Sequence, residues 1–407
     1  MALLVRAKAI VTCDTDAPQN GITFSQLGLI DNASLLIEDG RVAFIGHPEA
    51  QPRGPERMRG AVETLDFPDC IIVPGFVDAH AHPLFAGDRE ADFAARQGGE
   101  KPLLGMSYTV KRTREALNNP DEFWNTIANR LRLIAAHGTT TLETKTGYAL
   151  TKAGEFQILD LIAAHKDDAG LPRLVGTFLG AHAVPPEYSD EKKYIDFLIA
   201  EVLPDAKDHG AVYADAFCEP GFFSPHHTQR YLEAARAYGL RLRVHCDEMG
   251  HAGAAEMAAG IGVDAVDHCN YITDDAINAV VAHDIVTVTC PATIEYLNLP
   301  RHAPVRKILE RGGTVAFASD YNPGTSPCFN LQTVAYFARK LFRVTAAEAL
   351  YGVTVAAAKS LRTDAGRLRA GALADFVALQ IDSPEEFGWQ FGGNLAAAVF
   401  KAGARVA

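Results

Sequence analysis

The sequence predicts a TIM-like (β/α)8 barrel, an α/β fold, carrying a small composite β-sandwich domain made from both chain ends. Three observations predict it. Eight β-rich apolar stretches recur between residues 71 and 320, mostly separated by helical segments, and Ala-, Leu- and Glu-rich helices between buried strands imply parallel βα units. Nearly every stretch ends in polar, titratable residues, at the end where a barrel carries its chemistry. Strand-like segments at the two termini bury little alone and need one another.

The 407 residues allow one large domain with an accessory part. We expect 1–67 and 365–407 to form the β domain and 68–364 the barrel. Within 1–67, residues 34–46 read as a hairpin around Asp39-Gly40. The segment 48–62, rich in Pro, Arg, Glu and Gly, reads as a loop. At the other end, 374–381 and 396–403 are strand-like. The barrel stretches are 71–80, 139–145, 173–182, 212–219, 241–247, 263–269, 285–291 and 314–320. Helices are expected over 121–137, 153–166, 189–207, 225–238, 250–260, 273–283 and 302–312.

Composition excludes several classes. A net charge of −12 argues against a general nucleic-acid or anionic-membrane binder; a small anionic substrate stays open. The seven cysteines are scattered without a CxxC and read as reduced thiols. No apolar run is long enough to span a bilayer, and Met1 to Lys8 lacks the order of a signal peptide. A cytoplasmic location is expected.

The first barrel stretch ends in Asp78-Ala79-His80-Ala81-His82. Alternate strand residues share a face, so His80 and His82 aim at one point. Two neutral imidazoles there suit zinc or iron. The fifth stretch ends in His245-Cys246-Asp247-Glu248 and the eighth in Asp320. Taken singly, His245 is compatible with a packed strand histidine and Asp320 with a turn cap. Together, His80, His82, His245 and Asp320 form an N3O set for one divalent metal ion, with a position left open for water. Lys145 raises the option of a carbamylated bridge to a second metal; the complete four-ligand set favours one.

Glu248 and His268 are candidates for proton transfer and for orienting water or a developing oxyanion. Asp247 competes with Glu248. If the strand continues, Asp247 shares the face of His245; if the chain has turned, Glu248 is favoured. Arg89, Tyr148 and His182 are candidates for holding a substrate carboxylate and ring. Arg89 also neighbours Asp88 and Glu90, and a solvated ion pair is the alternative reading.

Several strings then fall into order: Pro74-Gly75-Phe76-Val77-Asp78-Ala79-His80-Ala81-His82, Phe85-Ala86-Gly87-Asp88-Arg89, Gly138 to Tyr148, Phe178 to Tyr188, Phe217-Cys218-Glu219, His245 to Glu248, Asp267-His268, Asp320 to Pro327, and Phe391 to Asn394. On these strings the whole chain resembles the imidazolonepropionase family of the amidohydrolase superfamily, which acts in histidine degradation. The resemblance implies a barrel with a composite β-sandwich, one zinc or iron ion, and a homodimer. It assigns the metal to His80, His82, His245 and Asp320. It assigns ring and carboxylate binding to Arg89, Tyr148, His182 and Glu248, product contacts to Asn322, Gly324 and Thr325, and assistance near the metal to His268. The implied reaction is hydrolysis of 4-imidazolone-5-propanoate to N-formimidoyl-L-glutamate, which opens a cyclic amide C–N bond.

The sequence departs from the family at 101–114, where a glycine triplet is missing, and at Cys290-Pro291-Ala292, where the family has Leu-Pro-Gly. Side chains in place of glycines reshape a pocket, so the loop 97–108 bears on which ring is taken. An N-methylated, thio-substituted or hydantoin-type ring is the close alternative. A ring-amine deaminase and a non-catalytic metal-stabilised scaffold are the more distant ones; a purely structural site would close its coordination sphere.

Overall fold

The computed structural model describes residues 2–50 and 62–407. Of the expected loop 48–62, residues 51–61 lie outside the described residues. Pro48–Ala50 form a 3₁₀ turn, and Val62 already begins a strand.

In chain order the strands are β1 (Ala2–Val11), β2 (Leu29–Glu38), β3 (Arg41–Gly46), β4 (Val62–Pro74), β5 (Phe76–Asp78), β6 (Thr139–Lys145), β7 (Arg173–Ala181), β8 (Tyr213–Cys218), β9 (Arg241–Cys246), β10 (Ala265–His268), β11 (Val286–Thr289), β12 (Val315–Phe317), β13 (Phe376–Leu379), β14 (Ala396–Lys401) and β15 (Ala404–Arg405). The expected hairpin is β2–β3. Its Asp39 and Gly40 both have positive φ, +49° and +76°, as a two-residue turn matched to strand twist requires.

The composite β domain is a single mixed sheet, in the order β15-β14-β13-β4-β1-β2-β3. One face buries Val5, Leu35, Ile37, Ile72 and Phe376, with Phe400 stacked on Phe376. Val11, Ile71, Val73, Val377 and Leu379 point the other way, into the core shared with the barrel. Strand β4 runs to Pro74, past residue 67 where the domain boundary was expected. Only Gly75 separates it from β5. A Cβ there would meet the Thr140 side chain at 2.1 Å, so the close approach of this crossing to β6 requires glycine.

The eight strands from β5 to β12 pair in sequence order and in parallel. The bridge between Ala81 and Tyr321 closes the ring. Across this seam the Asp320 N–H donates to His80 O and the His82 N–H to Tyr321 O, both at 2.9 Å. Ser319 donates its N–H and hydroxyl to the Asp78 carboxylate at 3.1 and 2.5 Å. Closure therefore brings the first and last stretches together at His80, His82 and Asp320. Several of the helices between strands begin on a capping side chain: Asn119, Thr151, Asp190, Ser224 and Thr273 each accept a first-turn N–H.

The segment 97–108 is less of a loop than expected. Helix Glu90–Gln97 ends at its start, and helix Gly105–Ala116 begins within it. The second helix has no local cap. Instead the distant Asp92 carboxylate accepts the N–H groups of Leu104 and Gly105 at 2.6 and 3.1 Å. A cap supplied from twelve residues away leaves no mark in local sequence pattern.

Candidate active site

Period-two alternation along the barrel strands sorts the inward residues into two levels. At the carboxyl ends stand His80, His82, His245 and Asp320, all buried. The Nε2 atoms of His80 and His82 are 3.2 Å apart, and those of His82 and His245 are 3.3 Å apart. Asp320 Oδ1 is 3.6 Å from His80 Nε2 and 3.4 Å from His82 Nε2. Donors about 2.0–2.1 Å from a central ion at tetrahedral angles stand about 3.3 Å from one another. The set has that spacing.

Its protonation fits the same ion. His80 Nδ1 meets Asp267 Oδ2 at 2.8 Å, and His245 Nδ1 meets Asp215 Oδ1 at 3.1 Å. Carboxylate partners fix the protons on Nδ1 and turn the Nε2 lone pairs toward each other. Burial, reinforced by neighbouring Lys145 and histidines, holds His80 well below the usual imidazole range; burial with His245 and His182 does the same at His82. Converging lone pairs repel unless a cation lies among them. The residues present thus fit a divalent metal.

One level down lies a fully buried charged network. Lys145 Nζ donates to Glu143 Oε1 at 2.9 Å and to Asp215 Oδ2 at 2.7 Å. Arg243 donates to both oxygens of Asp267, at 2.9 and 3.0 Å, and to Ala79 O at 2.7 Å. Burial resists ionisation at Asp215, but His245 and Lys145 outweigh it and hold the carboxyl well below its usual range. Lys145 and Arg243 face Glu143, Asp215 and Asp267. Lys145 is engaged as an ammonium in ion pairs, which does not suit a carbamylated bridge.

Above the ligands opens a cavity of about 220 Å³. Arg89, Tyr148, His182, Glu248, His268, Asn322 and Thr325 line it, as do His82, His245 and Asp320. Glu248, His268 and Asp320 bring ligand-type atoms within 4.8 Å of one another. The choice between Asp247 and Glu248 is made by the backbone. Asp247 has φ +50°, so the chain turns there. Its carboxylate accepts N–H groups from Ala252 and Ala255 at 2.7 and 3.2 Å, and Glu248 faces the cavity. His268 (φ +70°) and Asp320 (φ +50°) share this left-handed conformation, a strain that collects at functional sites. Burial, with the Asp320 and Glu219 carboxylates adding, pushes the Glu248 carboxyl well up.

His182 Nδ1 meets Gly147 O at 3.0 Å, and burial lowers its pKa to about 3, so its ring is neutral. Gly147 has φ +102°, and a Cβ there would meet Leu179 O at 2.8 Å. Arg89 pairs through Nε with Asp92 Oδ2 at 2.6 Å, not with Asp88 or Glu90. Asn322 borders the cavity, but its amide is spent on the turn, donating to Asp320 O and Thr325 Oγ1 and accepting from the Gly324 and Thr325 N–H groups. Gly324 is not among the lining residues; its carbonyl accepts from Arg96 Nη2 at 2.7 Å.

Sequence reasoning assigned no role to Met106, Phe217, Phe222 and Met249, which complete the wall. It also passed over Thr293, whose hydroxyl donates to Asp320 Oδ2 at 2.8 Å, and the charged network. A larger cleft of about 500 Å³ lies alongside, sharing Arg89 and Asn322 but none of the histidines.

Residues 71–405 match the amidohydrolase family. The imidazolonepropionase of Acinetobacter baumannii (strain ACICU) is 34% identical over 411 residues, covering 97% of this chain and 98% of that protein. The imidazolonepropionase of Solibacter usitatus (strain Ellin6076) is 36% identical over 415 residues, covering 99% and 97%. Among solved structures, guanine deaminase from C. acetobutylicum with bound guanine has a TM-score of 0.73 at 16% identity, covering 100% of both chains. An adenosine deaminase from Xanthomonas campestris with bound zinc has a TM-score of 0.70 at 16% identity, covering 99% of this chain and 92% of that one. At such identity the structural likeness speaks for the fold alone. Full-length likeness to imidazolonepropionases, together with the family match, shows that the chain belongs to the amidohydrolase family, as a metal-dependent, imidazolonepropionase-like member.

Proposed function

We propose that the chain hydrolyses the cyclic amide C–N bond of 4-imidazolone-5-propanoate, yielding N-formimidoyl-L-glutamate. The observation that carries this reading is one cavity with His82, His245 and Asp320 at its floor, His80 Nε2 3.2 Å behind His82, and Arg89 on its wall, in a chain over a third identical to one imidazolonepropionase along its length. Those four residues would hold one zinc or iron ion. When bound, such an ion acts as a Lewis acid and makes water acidic near neutral pH.

The chain's own groups do the rest. Arg89 binds the propanoate through its Nη groups, with Tyr148 beside it. His182 and Glu248 hold the ring edge, and Thr325 lies close to the product. Asn322 and Gly324 act through the turn they build. With a divalent cation beside it to offset the burial that favours its protonated form, Glu248 would take a proton from the attacking water and pass it to the leaving ring nitrogen. His268 is neutral through burial, and its Nε2 has no hydrogen-bond partner among the described residues; it steadies the oxygen as charge develops. Asp320 acts from within the donor set, its Oδ1 facing His80 and His82 and its Oδ2 held by the Thr293 hydroxyl. The homodimer implied by the resemblance belongs to the same proposal; the exposed Trp389 and Phe391 are apolar surface that such an interface would cover.

A second reading is favoured by one side chain. Met106 lies in the segment that departs from the family pattern, and it lines the cavity. This supports a ring bearing an N-methyl or thio substituent, or a hydantoin. Turnover of fresh 4-imidazolone-5-propanoate against those three analogues, with ring opening, ammonia and sulfide followed, separates the readings. The first expects the unsubstituted ring to have the highest kcat/KM by at least tenfold. A higher value for an analogue refutes it in favour of the second.

A further inference from the structure

We infer that Asp92 is a positioning residue that joins the carboxylate clamp Arg89 to the segment bearing Met106, so that both sides of the substrate are held through one buried carboxylate. The inference rests on the proposed role of Arg89. Asp92 is fully buried. Its Oδ2 accepts from Arg89 Nε at 2.6 Å and from the Gly105 N–H at 3.1 Å, and its Oδ1 from the Leu104 N–H at 2.6 Å. Its hydrogen bonds thus reach both pieces of the cavity wall.

Each piece depends on it. Helix Gly105–Ala116 has no side-chain cap of its own at Leu104. The Asp92 carboxylate takes that place and suits the positive end of the helix. Met106, the next residue after the capped pair, faces the cavity. Arg89 is boxed in by Asp92 at Nε and by Gly324, where a Cβ would lie 2.1 Å from Nη1. Arg96, on the same helix as Asp92, holds Gly324 by its carbonyl. A guanidinium fixed on these sides presents its remaining edge in one orientation, as bidentate carboxylate binding needs. A carboxylate on Arg89 therefore also steadies the 98–106 segment over the ring.

The test is a double-mutant cycle on the metal-loaded protein, read by calorimetric binding of 3-(imidazol-4-yl)propanoate and its propanamide. Asp92→Asn should weaken the propanoate about 10- to 100-fold, the range for a hydrogen bond to a charged group, and the propanamide by less than threefold. Asp92→Asn combined with Arg89→Ala should bind the propanoate no more weakly than Arg89→Ala alone. Hydrogen exchange supplies a second readout: the propanoate should slow exchange over 98–106 in the unaltered protein and not in Asp92→Asn. Should Asp92→Asn not fold, Asp92→Glu, with its longer reach, replaces it in the cycle. An additive cycle, or equal losses for the two ligands, overturns this inference alone. No preference for the propanoate in the unaltered protein overturns it together with the clamp role of Arg89.

Discussion

Thr293→Val should weaken metal binding by one to two orders of magnitude while leaving the fold intact. Thr293 is buried in the first turn of helix Pro291–Leu297, and its hydroxyl donates to Asp320 Oδ2 at 2.8 Å. Valine has nearly the shape of threonine, so the change removes a hydroxyl and opens no cavity. Among the described residues, the one hydrogen bond left to the Asp320 carboxylate is then from Asn322 Nδ2, at 3.2 Å on its other oxygen. A hydrogen bond to a charged group contributes about 1.5–3 kcal/mol, and about 1.4 kcal/mol is tenfold in affinity. The expected loss is therefore about 10- to 100-fold, the range found when groups supporting a metal ligand are removed. Competition against a chromophoric chelator for zinc measures it. Thr293→Ser restores the donor and should bind within about threefold of the unaltered protein. Equal affinity in Thr293→Val, or an equal loss in Thr293→Ser, would refute a supporting role for this hydroxyl.

Two further outcomes follow from the geometry. Arg89→Ala should raise KM for a propanoate-bearing substrate about 10- to 100-fold and change it little for one lacking the propanoate; steady-state kinetics on the pair would expose an equal effect, which the clamp role forbids. Lys145→Met should destabilise the metal-depleted protein by about 3–5 kcal/mol, since it strands Glu143 and Asp215 as buried carboxylates without their cation. A denaturant midpoint that does not move would contradict the ion-pair reading of Lys145.

Much of this architecture is legible in the sequence. Each of the eight apolar stretches contains a barrel strand, although the first, 71–80, is divided at Gly75 between β4 of the terminal sheet and β5; a buried parallel strand needs a short apolar run and a helix needs a different period. The convergence of His80, His82, His245 and Asp320 is legible for the same reason: residues at strand ends of a closed barrel come together however far apart they lie in the chain. The buried network was within reach too. Arg243 stands two residues before His245, and Asp215 two before Phe217, so alternation puts them on the inward face. What sequence pattern does not carry is contact made across the fold. Asp92 caps a helix it does not belong to, and Thr293 reaches Asp320 from the neighbouring βα unit. That Glu248 and not Asp247 faces the cavity follows from a left-handed backbone at Asp247, a conformation that aspartate tolerates but does not by itself specify. Asn322, expected at the product, borders the cavity and also braces its own turn through its amide, a contact pattern that sequence does not display.

The central claim is a mononuclear hydrolase site, and a metal titration of the depleted protein tests it most directly. Initial rates of 4-imidazolone-5-propanoate hydrolysis are recorded as zinc or iron is added in fractions of an equivalent per chain. A mononuclear site gives a linear rise that breaks at one equivalent and stays flat, with no rise in Asp320→Ala or His245→Ala. A break at two equivalents, or a full rate before any metal is added, would contradict it.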